Sequence, residues 1–219
     1  KHMKKLLFFN TFLLTFLFIF QGCVNKQNNT NNESIQETTI ESKQIASGLF
    51  SIDIEKSNIE WIGKKPTGTH DGTVNVSKGF IELNKKGEIT NGEFVLDMNS
   101  ISCSDLQGKK KESLDSHLKD ADFFNTEEYP TSTFKINEVS SDTIYGTLTI
   151  KGIAQKIKFP FKEMVYTNKD TTTLEYRSEI IIDRTLFDIK YSSKTFFPDI
   201  GDRFIYDDFT IILNPLVFK

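Results

Sequence analysis

From Gly48 onward apolar and polar residues alternate in short runs broken at turn-forming residues, the period of half-buried β-strands. Phe50 to Ile54 and Asn58 to Ile62 are two such runs, and Glu55-Lys56-Ser57 between them predicts the start of a hairpin. Lys64 to Gly72 holds Pro66, Gly68 and Gly72 and reads as a loop. In Thr73 to Leu83 the apolar positions are Val74 and Val76, then Ile81 and Leu83; Gly79 at the slip of phase predicts a β-bulge. After a turn at Lys85-Lys86-Gly87, Gly92 to Ser100 aligns Phe94, Leu96 and Met98. From Thr131 the chain sends Ser132, Phe134 and Ile136 to one face, and Thr143 to Lys151 does the same with Ile144, Leu148 and Ile150. Gly152 turns the chain into Gln155 to Lys162, where Ile157, Phe159 and Phe161 oppose three lysines and Pro160 marks an edge or bulge. Leu174 to Asp183 aligns Leu174, Tyr176, Ile180 and Ile182. An irregular stretch, Arg184 to Asp202, precedes a last strand over Arg203 to Asn214 with Phe209, Ile211 and Leu213.

One segment breaks this period. Asp105 to Lys119 places Leu114 and Leu118 four residues apart among lysines and acids, the pattern of a short amphipathic helix. Asp120 to Lys135 follows, with Phe123-Phe124 as an aromatic plug and Tyr129-Pro130 forcing extended backbone. It delivers the chain from the helix into the sheet. Eight or so antiparallel strands with one helix mean an all-β barrel or sandwich. Twenty phenylalanines favour a lumen able to hold one apolar guest, but periodicity alone leaves both architectures open.

The N-terminus has a different character. Lys1-His2 precede Met3 and are read as a remnant outside the signal; Lys4 and Lys5 then lead into an uncharged apolar run from Leu6 to Phe20. That run is short for a membrane span and suits a secretory signal. Gln21-Gly22-Cys23 resembles the lipobox of bacterial lipoproteins, departing from it at Phe20 and Gln21, and makes Cys23 the expected lipidation site. Residues 23–47, rich in Asn, Gln, Thr and Ser, have no apolar period and read as a disordered tether. The expected organisation is therefore remnant plus signal over 1–22, lipidated Cys23 and tether over 23–47, and barrel over 48–219. Removing 1–22 takes away three lysines and changes the net charge from −3 to −6. With no basic patch interleaved by aromatics, nucleic-acid binding is not expected. With Cys23 lipidated, Cys103 is the only cysteine left, so no internal disulfide is expected.

Candidate chemistry is sparse. His70-Asp71, and His117 with Asp120 and Asp122, are the His/acid groupings, without the spacing of a metal site. A helix-end hydrogen bond is expected for His117. Cys103 lies far in sequence from either His, which argues against a nucleophilic triad. Asp207-Asp208 read as surface and turn groups, Asp183-Arg184 as a fixed ion pair at the barrel rim, and Lys109-Lys110-Lys111 as a solvated helix face. Trp61 reads equally as core plug or ligand wall.

Four segments carry a resemblance: Phe50-Ser51-Ile52-Asp53; His117 to Phe124 running into Tyr129-Pro130-Thr131; Gly146 to Gly152; and Asp183-Arg184-Thr185 with Phe187, Ile189 and Tyr191. They resemble the YceI-like family of bacterial periplasmic proteins over roughly Gly48 to Leu216. The resemblance implies a lipocalin-like antiparallel barrel that binds an amphiphilic chain, such as a polyisoprenoid or isoprenoid quinone. The expected ligand wall is Trp61, Phe94, Leu96, Phe134, Ile136, Leu148, Ile150, Ile157, Phe159, Phe161, Ile180, Ile182 and Tyr191. Leu114 stands where many members carry a basic residue, which weakens the case for a head-group contact there. The expectation is an extracytoplasmic, lipid-anchored, periplasm-facing protein that holds such a lipid for transport or sequestration. No catalytic residue, metal or cofactor beyond the bound lipid or quinone is expected, and a homodimer is left open. A lipid- or quinone-modifying enzyme and a ligand-free structural module are the alternatives.

Overall fold

The computed structural model describes residues 47–168 and 171–219; the expected signal, Cys23 and tether lie outside the described residues. Among these residues there are ten strands: β1 (Gly48–Ser51), β2 (Ile59–Lys65), β3 (Gly68–Leu83), β4 (Ile89–Cys103), β5 (Thr131–Ser140), β6 (Thr143–Ile150), β7 (Ile153–Pro160), β8 (Lys162–Asn168), β9 (Thr171–Asp183) and β10 (Asp208–Phe218). Among the described residues one α-helix, α1 (Gly108–Lys119), follows β4. All pairings are antiparallel in the order β7-β6-β5-β4-β3-β2-β10-β9-β8, with β1 added along β3. The sheet curls until β7 lies beside β9, making a lipocalin-like barrel.

The ladder does not close. β8 pairs with Thr171–Arg177 of β9, while Ser178–Asp183 faces β7 with no backbone pairing. Pro160 explains the break: it has no N–H to donate, and the chain crosses there to the other edge of the sheet. Side-chain bonds hold the seam, from Ser178 Oγ to the Pro160 carbonyl (2.6 Å), from Gln155 Nε2 to the Leu186 carbonyl (3.0 Å) and from Lys151 Nζ to the Asp188 carbonyl (3.4 Å).

The alternation places most strands correctly and misassigns some connections. The expected β1–β2 hairpin does not form: Ser51 exchanges both backbone bonds with Lys219, and Ile52 bonds to the Gly79 carbonyl, so β1 joins the C-terminus and β3. The expected loop over Lys64 to Gly72 is a tight hairpin, with Thr69 to Gly72 paired against Trp61 to Lys64. Ladder bonds come from the backbone, so a polar, glycine-rich run can pair as well as an apolar one. The phase slip in β3 is a bulge between Val76 and Lys78, just ahead of Gly79. β8 is a strand of its own, and β10 starts at Asp208 rather than Arg203, continuing past a bulge between Leu213 and Leu216.

Candidate functional site

Inward-facing positions on eight strands surround an elongated cavity of about 180 Å³, roughly a dozen times the space one buried water needs. Its wall runs along β10 from Phe209 to Phe218, about 30 Å at strand rise. Spread over that length, the void has the girth of a single chain rather than of a folded guest. Phe134, Ile157, Phe161, Phe209, Ile211 and Leu213 all point inward yet are only half-buried, because they border this space. Elsewhere packing is complete: Leu174, Phe187 and Ile189 are fully buried, and each such side chain contributes about 1.5–3 kcal/mol.

Six rings form a collar around the end of the lumen away from α1. Phe159 contacts Phe134 (5.4 Å between centroids), Phe134 contacts Phe94 (6.4 Å), and Phe94 meets Phe218 edge-on (5.9 Å). Phe218 then meets Tyr176 (5.6 Å), and Tyr176 meets Phe161 (5.7 Å). The series begins on β7 and ends just past it, so the seam lies between its two ends. The Tyr176 hydroxyl donates to Glu163, and burial pushes its phenol well above the ordinary range.

At the other end α1 and the turn after it close the barrel. Leu118, Phe123 and Phe124 line the cavity, as do Trp61, Arg184, Ile205 and Tyr206. Asp115 ties the helix to β4, accepting from the Cys103 N–H (2.6 Å), Ser102 Oγ (3.0 Å) and Lys111 Nζ (2.9 Å). Arg184 is buried and donates to the carbonyls of Ile189 (2.7 Å), Ile205 (3.0 Å) and Tyr206 (3.1 Å). Its acidic partner is Asp207 (3.5 Å), not the expected Asp183, which instead caps the turn Arg184–Phe187 by accepting from Thr185. Asp207 is accordingly structural rather than a surface group, and it also accepts from Thr195 Oγ1 (2.6 Å).

Of the expected ligand wall, Trp61, Phe94, Leu96, Phe134, Ile136, Leu148, Ile150, Ile157, Phe159, Phe161, Ile180 and Ile182 line the cavity. Tyr191 does not. It is exposed, with its ring against His117 (4.4 Å). The His117 ring makes no hydrogen bond among the described residues, with Nδ1 3.9 Å from both Asp120 and Asp122 and Nε2 without a partner, while its backbone carbonyl accepts the helix-end bond from the Asp120 N–H. Sequence reasoning left out a large part of the wall, above all Phe209, Ile211, Leu213, Leu216 and Phe218 of β10, and Ile59, Val74 and Ile81. The alternation was there to find Phe209, Ile211 and Leu213.

A second cluster lies outside the cavity. Asp105 accepts from His70 Nδ1 (2.9 Å), the Asp71 N–H (3.2 Å) and Cys103 Sγ (2.9 Å). Burial opposes its ionisation, but the bonds from Cys103, His70 and Asp71 prevail and hold its carboxyl at about 2. Burial and the bond to Asp105 push the Cys103 thiol up, the reverse of what a nucleophile needs.

The YceI-like domain profile matches residues 50–214. The chain belongs to the YceI-like family. Its match to a UPF0312 protein of Staphylococcus aureus (strain N315) is 44% identical over 50 residues, spanning 23% of this chain and 29% of that protein. In fold, the family domain resembles BcnA of Burkholderia cenocepacia (TM-score 0.58, 20% identical, covering 76% of this chain and 98% of BcnA). It also resembles a polyisoprenoid binding domain from Saccharophagus degradans implicated in plant cell wall breakdown. That likeness has a TM-score of 0.56 at 15% identity and covers 80% of this chain and 99% of that domain.

Proposed function

We propose that this YceI-like protein holds an isoprenoid or similar amphiphilic chain in its barrel, and that it does so outside the cytoplasm, tethered to a membrane through Cys23, for transport or sequestration. The carrying observation is the elongated cavity with half-buried apolar side chains along its length. Its girth suits one hydrocarbon chain, and the fold likeness to a polyisoprenoid binding domain supports the same reading. Burial alone supplies the affinity: a forty-carbon tail at about −0.3 kcal/mol per heavy atom reaches about −12 kcal/mol, near-nanomolar. Among the described residues the wall is almost wholly apolar, which supports holding a guest over transforming it. Native mass spectrometry of freshly purified protein is the test. A co-purifying isoprenoid, or uptake of a polyprenyl probe, is expected; a protein that carries and takes up no lipid overturns the reading.

A further inference from the structure

We propose that His70, Cys103 and Asp105 form a metal site for a thiol-binding divalent cation such as Zn²⁺, separate from the lipid cavity. His70 lies on β3, Cys103 is the last residue of β4, and Asp105 follows just beyond it; none of the three is in the cavity wall. A ring nitrogen of His70, the thiol sulfur and a carboxylate oxygen lie within 4.8 Å of one another. Two of these approaches are hydrogen bonds, His70 Nδ1 to Asp105 and Cys103 Sγ to Asp105, each at 2.9 Å. Ligand atoms around a tetrahedral zinc ion stand roughly 3.3–3.8 Å apart, as its bond lengths of about 2.0–2.3 Å require. Shifts of about 1 Å therefore close the three side chains on an ion.

Strand pairing creates a site that sequence spacing hides. Gly72 lies opposite Cys103 in the β3–β4 ladder, and the Ser104 N–H donates to the Asp71 carbonyl (2.8 Å). The chain before Gly72 and the chain after Cys103 therefore run side by side, which sets His70 against Asp105. The Asp71 N–H also bonds the Asp105 carboxylate (3.2 Å) and holds that ligand in position. The Cys103 N–H is bonded to Asp115 of α1 (2.6 Å), so an ion here ties the β2–β3 hairpin to the connection between β4 and the helix.

The donor atoms select the ion. Sulfur, imidazole nitrogen and carboxylate oxygen together suit Zn²⁺, whereas Mg²⁺ and Ca²⁺ require oxygen. Binding replaces the Cys103 thiol proton, released to solvent, by a bond from sulfur to the ion, and the His70 ring proton sits on Nε2. A thiolate and a carboxylate then cancel the two positive charges. The His70 and Asp105 side chains are each 27% exposed, and His70 lines an open groove between the β2–β3 hairpin and α1. Cys103 is buried, but its sulfur is turned to the exposed carboxylate of Asp105, which is where the ion meets it. The ion enters from solvent without any opening of the barrel, and water completes its fourth position, as in zinc sites with three protein ligands.

The test titrates Co²⁺, a spectroscopic stand-in for Zn²⁺, into the full chain under reducing conditions. Wild type is expected to bind one Co²⁺ per chain with a near-ultraviolet sulfur-to-cobalt charge-transfer band, and Zn²⁺ is expected to displace it. Cys103→Ser is expected to abolish the band although Cys23 remains, and His70→Gln and Asp105→Asn to weaken Co²⁺ binding at least about tenfold. His70 is partly exposed and outside the core, so His70→Gln reports on the ion even where Cys103→Ser disturbs packing. His117→Gln, which alters the grouping of His117 with Asp120 and Asp122, is expected to leave binding unchanged. Zn²⁺ is expected to raise the thermal unfolding midpoint of wild type and not that of His70→Gln. A wild type without the charge-transfer band, a band that persists in Cys103→Ser, or binding lost in His117→Gln and kept in His70→Gln overturns the site.

Discussion

The ring of Phe134 lies across Gly146 on the neighbouring strand, so close that a Cβ on Gly146 would stand 2.2 Å from the ring. Gly146 thus sets how far that ring stays from the lumen. Gly146→Ala pushes Phe134 toward the cavity, and overpacking of this kind costs about 1–3 kcal/mol. The urea midpoint is expected to fall, and Phe134→Leu in the same chain is expected to restore part of it, since contacting residues couple.

Ile211 points into the cavity and is half-buried. Ile211→Trp fills free space instead of displacing packed atoms, so stability changes little. The co-purifying lipid fraction is expected to fall at least about tenfold, each lost 1.4 kcal/mol being a factor of ten. Unchanged lipid occupancy by native mass spectrometry would count against a guest lying along β10.

Removing Arg184 strips three carbonyls of their donor and Asp207 of its ion-pair partner in one step. Arg184→Met is expected to destabilise by about 3–5 kcal/mol, as when one member of a buried ion pair is deleted. Protection from hydrogen exchange is expected to drop first in residues 184–207, ahead of the β4–β6 strands.

Asp105 ionises at about 2 in the folded protein and near 3.9 when unfolded. A depressed folded value means the stabilisation is complete above pH 4 and is lost as pH falls from 4 toward 2. Asp115 is shifted the same way: burial opposes, but the Cys103 N–H, Lys111 and Ser102 prevail. Thermal unfolding midpoints between pH 5 and 2 are expected to fall less steeply in Asp105→Asn than in wild type. Parallel curves would remove Asp105 from the acid response.

Cys103 is 3% exposed with its thiol pushed up by burial and by Asp105. Native protein at pH 8 is expected to leave Cys103 unmodified by a disulfide reagent, with reaction appearing on unfolding. Peptide mass mapping assigns the modified cysteine. Rapid modification in the folded state contradicts the buried environment.

Clean alternation was the legible part. Phe94, Phe134, Ile136, Leu148 and Ile150 reach the cavity as their period requires, because each strand's facing is set locally. Pairing between distant segments was not legible. β10 pairs with β2 about 150 residues away, and nothing in one sequence marks that partner. Phase also fails where the backbone turns over. Phe187 and Ile189 are fully buried, but Asp188 between them and Ser192 after them take left-handed conformations, and Tyr191 ends on the surface. Arg184 looked like half of an adjacent ion pair; its carbonyl acceptors, Ile189, Ile205 and Tyr206, lie between β9 and β10, where no ladder marks them as partners.

The break between β7 and β9 has one more implication. A hydrogen-bonded cylinder has a circumference fixed by its ladders, and swelling it means rupturing a whole row of backbone bonds. Here side-chain bonds from Ser178, Gln155 and Lys151 replace a backbone ladder at the last join among the described residues, so the wall can spread along that line without rupturing a row of backbone bonds. The calibre of the tunnel is least constrained on that side, which suits a tail whose thickness swells and narrows at each methyl branch.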